Sequence, residues 1–427
     1  MRLVRRLLRS QLAPGRAVRL LAERARARDA GAPAALCGDW FGSRAVLAPS
    51  VRMATAATAG EAFAVPTRQP VVHDAVPDAI GGGWFGYLGY GLTDPVAHSR
   101  VLPNAAWGWA DHVLRQDTEE RWWFEALVPD GETAPTALAE ELESLLDGEP
   151  TPHGWKASDL RRVQTPERHQ EAVRGCIGAI GEGELFQANV CTRFAGEFRG
   201  EPTELFAAGI ERLRPARGAY LGGGWGSVLS FSPELFVARH GNHVHSTPIK
   251  GTLPRRGPDD DANVELLRRS TKDVAENVMI VDLVRNDLGR VCVTGTVRVP
   301  ELLVVRPAPG VWHLESTVEG QLASRVDDAA LLRATFPPGS VTGAPKSRAL
   351  ELIGELEPWP REVYCGAIGL ASPIAGMELN VAIRTFELHS EHLWLGVGGG
   401  ITAESDPHAE WQECLHKAAP LEALLRS

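Results

Sequence analysis

Residues 396–418 read "GVGGGITAESDPHAEWQECLHKA", which combines a glycine-rich strand with a capped helix. Four of the first five residues are glycine, and a strand without Cβ atoms can approach a ligand closely. Asp406, followed by proline, is placed to cap a helix. On that helix Glu410 and Glu413 share one face, and Lys417 lies one turn beyond Glu413. The stretch therefore predicts a strand end facing a helix with two carboxylates.

A second acidic helix is predicted over residues 270–290, "STKDVAENVMIVDLVRNDLGR". Ser270 is placed to cap it, and Gly289 is typical of its end. Asp273 and Glu276 are three residues apart and share a face. The predicted apolar stripe consists of Val274, Val278 and Val281.

Two helices that each offer two carboxylates can form an all-oxygen site for a hard divalent cation. Mg²⁺ fits best, because it takes few carboxylates and keeps water ligands for a substrate anion. Acid pairs are also common on solvated helix faces, where they form local salt bridges. Spacing alone favours solvated helix faces, so other motifs must decide between these and a metal site.

The composition of the chain argues against several function classes. Its 427 residues suffice for one large domain or for two to three smaller ones. The formal net charge of −10 disfavours nucleic acid or an anionic membrane as the main partner, since both call for a basic surface. No apolar run is long enough to span a membrane, and six cysteines without metal-binding spacing indicate reduced thiols in the cytoplasm.

The start of the chain, "MRLVRRLLRSQLAPGRAVRLLAERARARDAG", allows two interpretations. It is similar in composition to organelle transit peptides. Apolar residues nevertheless recur at helical spacing from Val18 to Ala25, which predicts the first strand and helix of a domain. Further along, a connector with proline and glycine separates an N-terminal region, residues 1–150, from a second region, residues 160–427. Near the start of the second region, Thr165, followed by proline, is placed to cap another helix.

Two further segments carry candidate site residues. The segment "FPPGSVTGAPKSRALELIGELE" (336–357) predicts a turn and then a helix with Pro345 in its first turn, and free amides at such a helix start can bind an anion. The segment "STPIKGTLPR" (246–255) places Lys250 between an isoleucine and a glycine, where burial of an ammonium group is costly. Lys250 is therefore either a solvated turn residue or a residue kept for its amine.

Eight segments stand in order between residues 186 and 418. They are "FQANVCTRF", "SFSPELFV", "PIKGTLPR", "AENVMIVDLVRNDLGR", "FPPGSVTGAPKSRALELI", "YCGAIG", "LNVAIRTF" and "GVGGGITAESDPHAEWQECLHKA". Together they resemble the chorismate-utilising enzymes, a family that includes anthranilate synthase component I, aminodeoxychorismate synthase component I, and the isochorismate and salicylate synthases. The resemblance covers essentially the whole chain and is strongest from about 165 to 420.

The resemblance implies an α+β fold in which two large, mostly antiparallel sheets pack as a sandwich flanked by helices, with the active site between them. It implies Mg²⁺, with Glu276 and Glu413 as direct ligands and Asp273 and Glu410 as supporting acids. Arg384 would bind a substrate carboxylate with its planar fork, or else pair with a strand neighbour. The implied substrate contacts are Gln187, Gly251, Thr252, Thr342, Gly343, Ala344, Tyr364, Arg384, Gly398, Gly399, Gly400 and Lys417.

Two positions separate the branches of this family. Isochorismate-type enzymes carry a lysine in the "FQANV" segment that activates water, whereas Gln187 here cannot act as a base. Ammonia is therefore favoured as the nucleophile. Anthranilate synthases carry alanine in P-I-A-G-T, while aminodeoxychorismate synthases carry lysine, as this chain does at Lys250. The resemblance thus favours the aminodeoxychorismate branch.

In that branch the resemblance implies a double displacement. Lys250 would add at C2 of chorismate as the C4 hydroxyl leaves, and ammonia would then add at C4 and expel the lysine. Glu234, in "SPELF", would protonate the departing hydroxyl, with its pKa raised by burial. His313, in "WHLEST", would be either a proton-handling residue or a buried structural histidine.

The expected product is 4-amino-4-deoxychorismate, the precursor of 4-aminobenzoate and folate. The chain has no G-x-C-x-G nucleophile turn, so we expect ammonia from a glutamine amidotransferase partner. Two alternatives stay open. One is anthranilate synthase component I, which would eliminate pyruvate without a lysine nucleophile. The other is a non-catalytic chorismate-binding subunit.

Overall fold

The computed structural model of the chain describes residues 1–96, 98–255, 257 and 261–426. Short 3-10 helices lie at Val65–Thr67, Tyr90–Leu92 and Gly339–Val341. The α-helices of the described residues are α1 (Pro14–Ala27), α2 (Ala59–Ala64), α3 (Thr136–Leu146), α4 (Pro166–Gly181), α5 (Pro202–Leu213), α6 (Asp261–Arg269), α7 (Thr271–Gly289), α8 (Asp328–Thr335), α9 (Lys346–Leu356) and α10 (Pro407–Leu425).

The strands alternate irregularly with these helices. In chain order, those of the described residues are β1 (Arg2–Leu7), β2 (Ala34–Trp40), β3 (Ser43–Ala48), β4 (Ala54–Ala56), β5 (Gly83–Leu88), β6 (Ala105–Ala110), β7 (His112–Gln116), β8 (Trp122–Val128), β9 (Trp155–Ala157), β10 (Arg161–Arg162), β11 (Gln187–Gly200), β12 (Arg217–Gly223), β13 (Gly226–Ser232), β14 (Leu235–His240), β15 (His243–Thr247), β16 (Ile249–Pro254), β17 (Arg298–Ala308), β18 (Val311–Gln321), β19 (Gly343–Ala344), β20 (Ala367–Ser372), β21 (Gly376–Val381), β22 (Thr385–His389) and β23 (His392–Ile401).

Two large antiparallel sheets contain these strands. The first runs in the order β1-β8-β7-β3-β2-β12-β13-β22-β23-β11-β10, with β9 and β19 paired to β11. The second runs in the order β16-β18-β15-β14-β21-β20-β5-β6-β4, with β17 paired to β18. The predicted α+β class with two large sheets is confirmed.

The sheets pack face to face around a shared apolar core. Leu36 and Leu221 of the first sheet and Tyr87 and Ile368 of the second belong to the same buried cluster. The outer face of the first sheet is covered by helices that include α1, α5 and α10, and that of the second by helices that include α7 and α8. The two sheets thus form the predicted sandwich flanked by helices.

The two regions distinguished in the sequence are interleaved in the sheets. In the first sheet β2 pairs with β12, and in the second β5 pairs with β20. The connector after residue 150 is thus a division along the sequence rather than between two packing units. No helix of the described residues is long and apolar enough to cross a membrane.

The predicted start of the domain is confirmed. β1 is followed by α1, which buries Val18, Leu21 and Ala25, at the helical spacing seen in the sequence. The arginines of α1 differ in exposure, and Arg19, only 17% exposed, pairs with the buried Glu204 of α5 at 2.9 Å. The basic character of this segment therefore belongs to a packed helix.

The predicted helix caps are confirmed at three helices, and two details differ. The side chains of Thr165, Ser270 and Asp406 accept hydrogen bonds from backbone amides at the starts of α4, α7 and α10. Pro345, predicted inside the first turn of its helix, is instead the N-cap of α9. Val278, predicted in the apolar stripe of α7, is 43% exposed, because the buried face is formed by Ile280 and Val284.

A buried ion pair ties α9 to the first sheet. Arg361 and Glu357 lie 2.7 Å apart, and Arg361 also donates to the carbonyl oxygens of Val341 and Asn189. Glu357 accepts from the backbone amide of Cys191, on β11. Both charged side chains are almost completely buried, so each depends on the other for its charge compensation.

We expect Arg361→Met to lower the free energy of unfolding by about 3–5 kcal/mol, because it leaves the Glu357 carboxylate buried without its partner. Urea unfolding followed by circular dichroism measures this change. Arg348→Met is the matched control, since Arg348 of α9 pairs only with the exposed or half-exposed carboxylates of Glu184, Glu351 and Glu355, and it should change stability far less. Equal effects of the two substitutions would contradict the assignment.

Candidate active site

The glycine-rich end of β23 brings the two acidic helices together. A Cβ atom on Gly400 would lie 2.9 Å from Oε2 of Glu276, on α7. A Cβ atom on Gly399 would lie 3.0 Å from Oε2 of Glu410 and 3.7 Å from Oε1 of Glu413, both on α10. Successive residues of a strand point to opposite faces, so Gly399 faces α10 and Gly400 faces α7. Because neither residue has a side chain, the backbone of β23 passes directly between the carboxylates of the two helices. We call the space lined by Glu276, Glu410 and Glu413 the acid crevice.

A β-bulge in β16 directs Lys250 into this space. Ile249 pairs with Glu315 and Thr252 with His313, so that three steps along β16 match two along β18. Gly251, within the bulge, has a φ of +94°, and a Cβ atom there would lie 3.0 Å from Cβ of Asp273. The bulge re-aims the preceding side chain. Nζ of Lys250 lies 3.8 Å from Oε2 of Glu276, and its side chain is only 10% exposed.

Glu234 lies at the turn between β13 and β14, close to the same lysine. Its side chain is buried, and the backbone amide of Ile249 donates to its Oε1 at 3.5 Å. Burial raises the pKa of Glu234 to about 7, although the nearby Ser340 hydroxyl and the charge of Lys250 act in the opposite direction. A carboxyl group with this pKa is partly protonated at neutral pH and can donate a proton.

The cationic side chain of Arg384 and the neutral side chain of His313 line the same side of the candidate site. Arg384 has a φ of +50°, which is uncommon for a non-glycine residue, and its guanidinium has no hydrogen bond within the described residues. Burial lowers its pKa, and Glu234 opposes this change. Burial and the charge of Arg384 lower the pKa of His313 to about 3, so its imidazole is neutral. Thr252 Oγ1 lies 2.9 Å from its Nδ1.

The loop before α9 lies against the start of β11. A Cβ atom on Gly343 would lie 2.2 Å from the carbonyl oxygen of Gln187, so only glycine allows this approach. The backbone amide of Phe186 donates to the carbonyl of Ala344. The Thr342 hydroxyl donates inside the loop, to the carbonyl oxygen of Pro338 at 3.0 Å. Thr342 therefore shapes the loop as it stands. Oε1 of Gln187 is buried without a partner among the described residues.

Two residues that were predicted to contact the substrate, Tyr364 and Lys417, contact other groups of the protein in the structure. Tyr364 is buried, and its ring fills the space in front of Gly396 on β23. Lys417 donates to the carbonyl oxygen of Gly398 at 2.8 Å and pairs with Glu413. Tyr364 therefore packs against β23 at the side of the site, and the side chain of Lys417 lies between β23 and α10. Their roles toward a substrate stay predictions.

Ammonium groups lie against each carboxylate of the acid crevice. The closest contacts are those of Lys250 Nζ with Glu276 Oε2 (3.8 Å), Lys272 Nζ with Glu410 Oε1 (2.6 Å) and Lys417 Nζ with Glu413 Oε1 (2.7 Å). Burial raises the pKa of Glu276, opposed by Lys250 and Lys272. Burial acts in the same direction at Glu413, but the charge of and hydrogen bond from Lys417, together with the charges of Lys272 and Lys250, outweigh it, and the pKa of Glu413 lies below its ordinary value.

Comparison with known proteins assigns this site to a family. A family model described as chorismate binding enzyme matches residues 40–423. The chain belongs to the chorismate binding enzyme family. It is 40% identical over 372 residues to aminodeoxychorismate synthase component 1 of Klebsiella aerogenes, which covers 82% of this chain and 78% of that protein.

Other members of the family are also similar. The chain is 40% identical over 301 residues to anthranilate synthase component 1 of Streptomyces coelicolor, covering 69% of this chain and 58% of that protein. The crystal structure of anthranilate synthase component I from Streptococcus pneumoniae TIGR4 superposes with a TM-score of 0.73 at 26% identity, covering 85% of each chain. The resemblance found in the sequence motifs is confirmed at the level of family and fold.

The donor atoms of the acid crevice are of the kind that binds a divalent cation. Its donors are carboxylate oxygens, which Mg²⁺ prefers, and Oε2 of Glu410 is buried without a hydrogen-bond partner among the described residues. As the side chains stand, no three acidic, histidine or cysteine residues in the described part of the chain are arranged as metal ligands. Because ammonium groups lie against the carboxylates, binding of a cation requires these side chains to rearrange.

The sequence interpretation missed residues that hold the acids in place. Lys272 is one turn before Glu276, a spacing that could have indicated an ion pair. Asn277, next to Glu276, donates to the carbonyl of Leu314 and accepts from Ser316, which anchors α7 to β18. No sequence signal pointed to that strand as the partner. Ser405 donates to Glu410 at 2.6 Å.

Proposed function

We propose that the chain is the chorismate-converting component of an aminodeoxychorismate synthase, which forms 4-amino-4-deoxychorismate from chorismate and ammonia. The observation that carries this proposal is Lys250, placed by a β-bulge at the acid crevice and next to an acid with a pKa of about 7. The similarity to aminodeoxychorismate synthase component 1 supports it further.

The proposed reaction consists of two displacements with allylic shift. The amine nitrogen of Lys250 forms a bond to C2 of chorismate, both ring double bonds shift, and the C4 hydroxyl leaves as water with a proton from Glu234. Ammonia then forms a bond to C4, both double bonds shift back, the C2–nitrogen bond to Lys250 breaks, and a proton from the new ammonium group returns to Glu234. The sum is chorismate plus ammonia giving aminodeoxychorismate plus water.

The remaining residues of the site would bind and orient the substrate. Arg384, whose guanidinium has no hydrogen bond within the described residues, is proposed to bind a carboxylate in bidentate fashion. Glu276 and Glu413, supported by Asp273 and Glu410, would hold Mg²⁺. When bound, this ion would neutralise the substrate carboxylate against the acids. The imidazole of His313, with its pKa lowered to about 3, is neutral and would not act as an imidazolium acid at neutral pH.

A partner that releases ammonia from glutamine is also proposed. The designation component 1 of the similar synthases and the lack of a glutaminase nucleophile turn in this sequence support it. The product would serve synthesis of 4-aminobenzoate and folate. The free thiols of the described cysteines support a reducing compartment such as the cytoplasm.

The test is product analysis after incubation of the chain with chorismate, MgCl₂ and ammonium chloride. We expect 4-amino-4-deoxychorismate, with glutamine unable to replace ammonium unless an amidotransferase is added. Anthranilate and pyruvate as the main products would instead identify an anthranilate synthase, which the Streptomyces coelicolor relative makes the second candidate. Lack of any turnover would favour a binding subunit.

A further inference from the structure

Lys272 bridges the two helices of the acid crevice. It lies on α7, one turn before Glu276, and its Nζ is 3.8 Å from Oε1 of that glutamate. The same Nζ donates to Oε1 of Glu410, on α10, at 2.6 Å. One ammonium group thus contacts carboxylates from both helices, beside the end of β23. A divalent cation held between these helices by Glu276, with Glu410 in support, would compete with this ammonium group for the same two carboxylates.

The surroundings of Lys272 are those of a replaceable cation. Its side chain is 35% exposed, so the long stem can turn toward solvent without a large cost in buried area. Glu410, in contrast, is 2% exposed, and its Oε2 has no hydrogen-bond partner within the described residues. The acid is buried and only one of its oxygens has hydrogen-bond partners, whereas the lysine side chain that pairs with it is partly exposed to solvent.

We propose that Lys272 is an internal counter-cation that occupies the metal-binding position between α7 and α10 until a divalent cation displaces it. This inference rests on the proposed metal site. An ammonium group held at 2.6 Å opposes entry of the metal ion by charge repulsion and by competition for Glu410. It also compensates the buried carboxylates in the metal-free protein, which would otherwise repel one another. Lys272 therefore weakens metal binding and stabilises the empty site.

The test is isothermal titration of MgCl₂ into metal-free protein without substrate, comparing wild type with Lys272→Met. We expect the dissociation constant for Mg²⁺ to fall at least about tenfold in the variant, since the competing charge is removed. Lys272→Arg retains the charge and should stay close to wild type. Arg269→Met removes a positive charge from an exposed pair with Glu265 near the same helix, and controls for long-range electrostatics.

A thermal unfolding series provides the second readout. Without metal, Lys272→Met should unfold at a lower temperature than wild type, and MgCl₂ should raise its Tm by more than that of wild type. If Lys272→Met does not fold, Lys272→Gln removes the charge while keeping a donor for Glu410.

The outcomes separate the two proposals. If wild type binds Mg²⁺ and the neutral variants bind it equally or more weakly, Lys272 is not a competitor, while the proposed function is unaffected. If neither wild type nor variant binds Mg²⁺, the metal site and this inference are both wrong. If the neutral variants bind Mg²⁺ more tightly than wild type does, that result supports Lys272 as the counter-cation, even if the product assay identifies another chorismate reaction.

Discussion

Lys250→Met is expected to reduce formation of 4-amino-4-deoxychorismate by at least about 10³-fold, because methionine cannot form the covalent intermediate. Methionine has a similar length and no amine, so the bulge around Gly251 should be retained. Chorismate binding should weaken far less than turnover, since Arg384 and the proposed metal ligands are unchanged. Trapping with chorismate in the absence of ammonia should give wild type, and not the variant, a mass increase equal to chorismate minus water.

Product formation is followed by chromatography with ammonium chloride as the nitrogen source. Lys156→Met is a suitable control, because Lys156 is exposed on β9, remote in sequence from every proposed site residue. Wild-type turnover by Lys250→Met would exclude the covalent route. Slow formation of anthranilate by that variant would be compatible with it, since direct attack of ammonia at C2 leads to that product.

Glu234→Gln is expected to have opposite effects on activity and stability. Turnover should fall by about 10²–10⁴-fold, because the departing hydroxyl loses its proton donor. The pKa of Glu234 is raised from 4.5 to about 7, so its protonated form favours the folded state below pH 4.5, and this contribution is lost as the pH rises to 7. At pH 8 the wild-type protein buries a carboxylate, and glutamine should raise the free energy of unfolding by about 3 kcal/mol.

Urea unfolding at pH 5 and pH 8 measures the stability effect, which should be small at pH 5. In wild type, kcat/KM should decrease as the pH rises above about 7 and Glu234 loses its proton. Glu319→Gln is the control, because Glu319 lies on β18 and pairs with His243 away from the crevice. A stability difference that does not depend on pH would refute the assigned pKa.

Local features of this chain could be predicted from sequence because they depend on neighbouring residues. Thr165, Ser270 and Asp406 cap their helices as predicted, since a cap requires only a side-chain oxygen and a free amide a few residues on. The acid pairs likewise follow from helical spacing. Glu276 and Glu410 meet at the glycines of β23, as the resemblance of the motifs implied.

Features that depend on distant partners could not be predicted from the residues alone. The bulge that directs Lys250 is defined only by the register of β16 on β18, more than fifty residues further along the chain. Arg361 shows no sign in the sequence that it contacts Asn189, on β11. The prediction that Val278 belongs to the apolar stripe of α7 was wrong, because α7 directs Ile280 and Val284 toward the core and leaves Val278 exposed.

The interleaved strand order has a consequence for synthesis of the chain on the ribosome. β2 gains its partner β12 only after about 180 further residues have emerged, and β11 waits a similar length for β23. Until then both strands have open edges, which are prone to association with other chains. We therefore expect the nascent protein to depend on chaperones, and to become competent for catalysis only when α10 docks on β23.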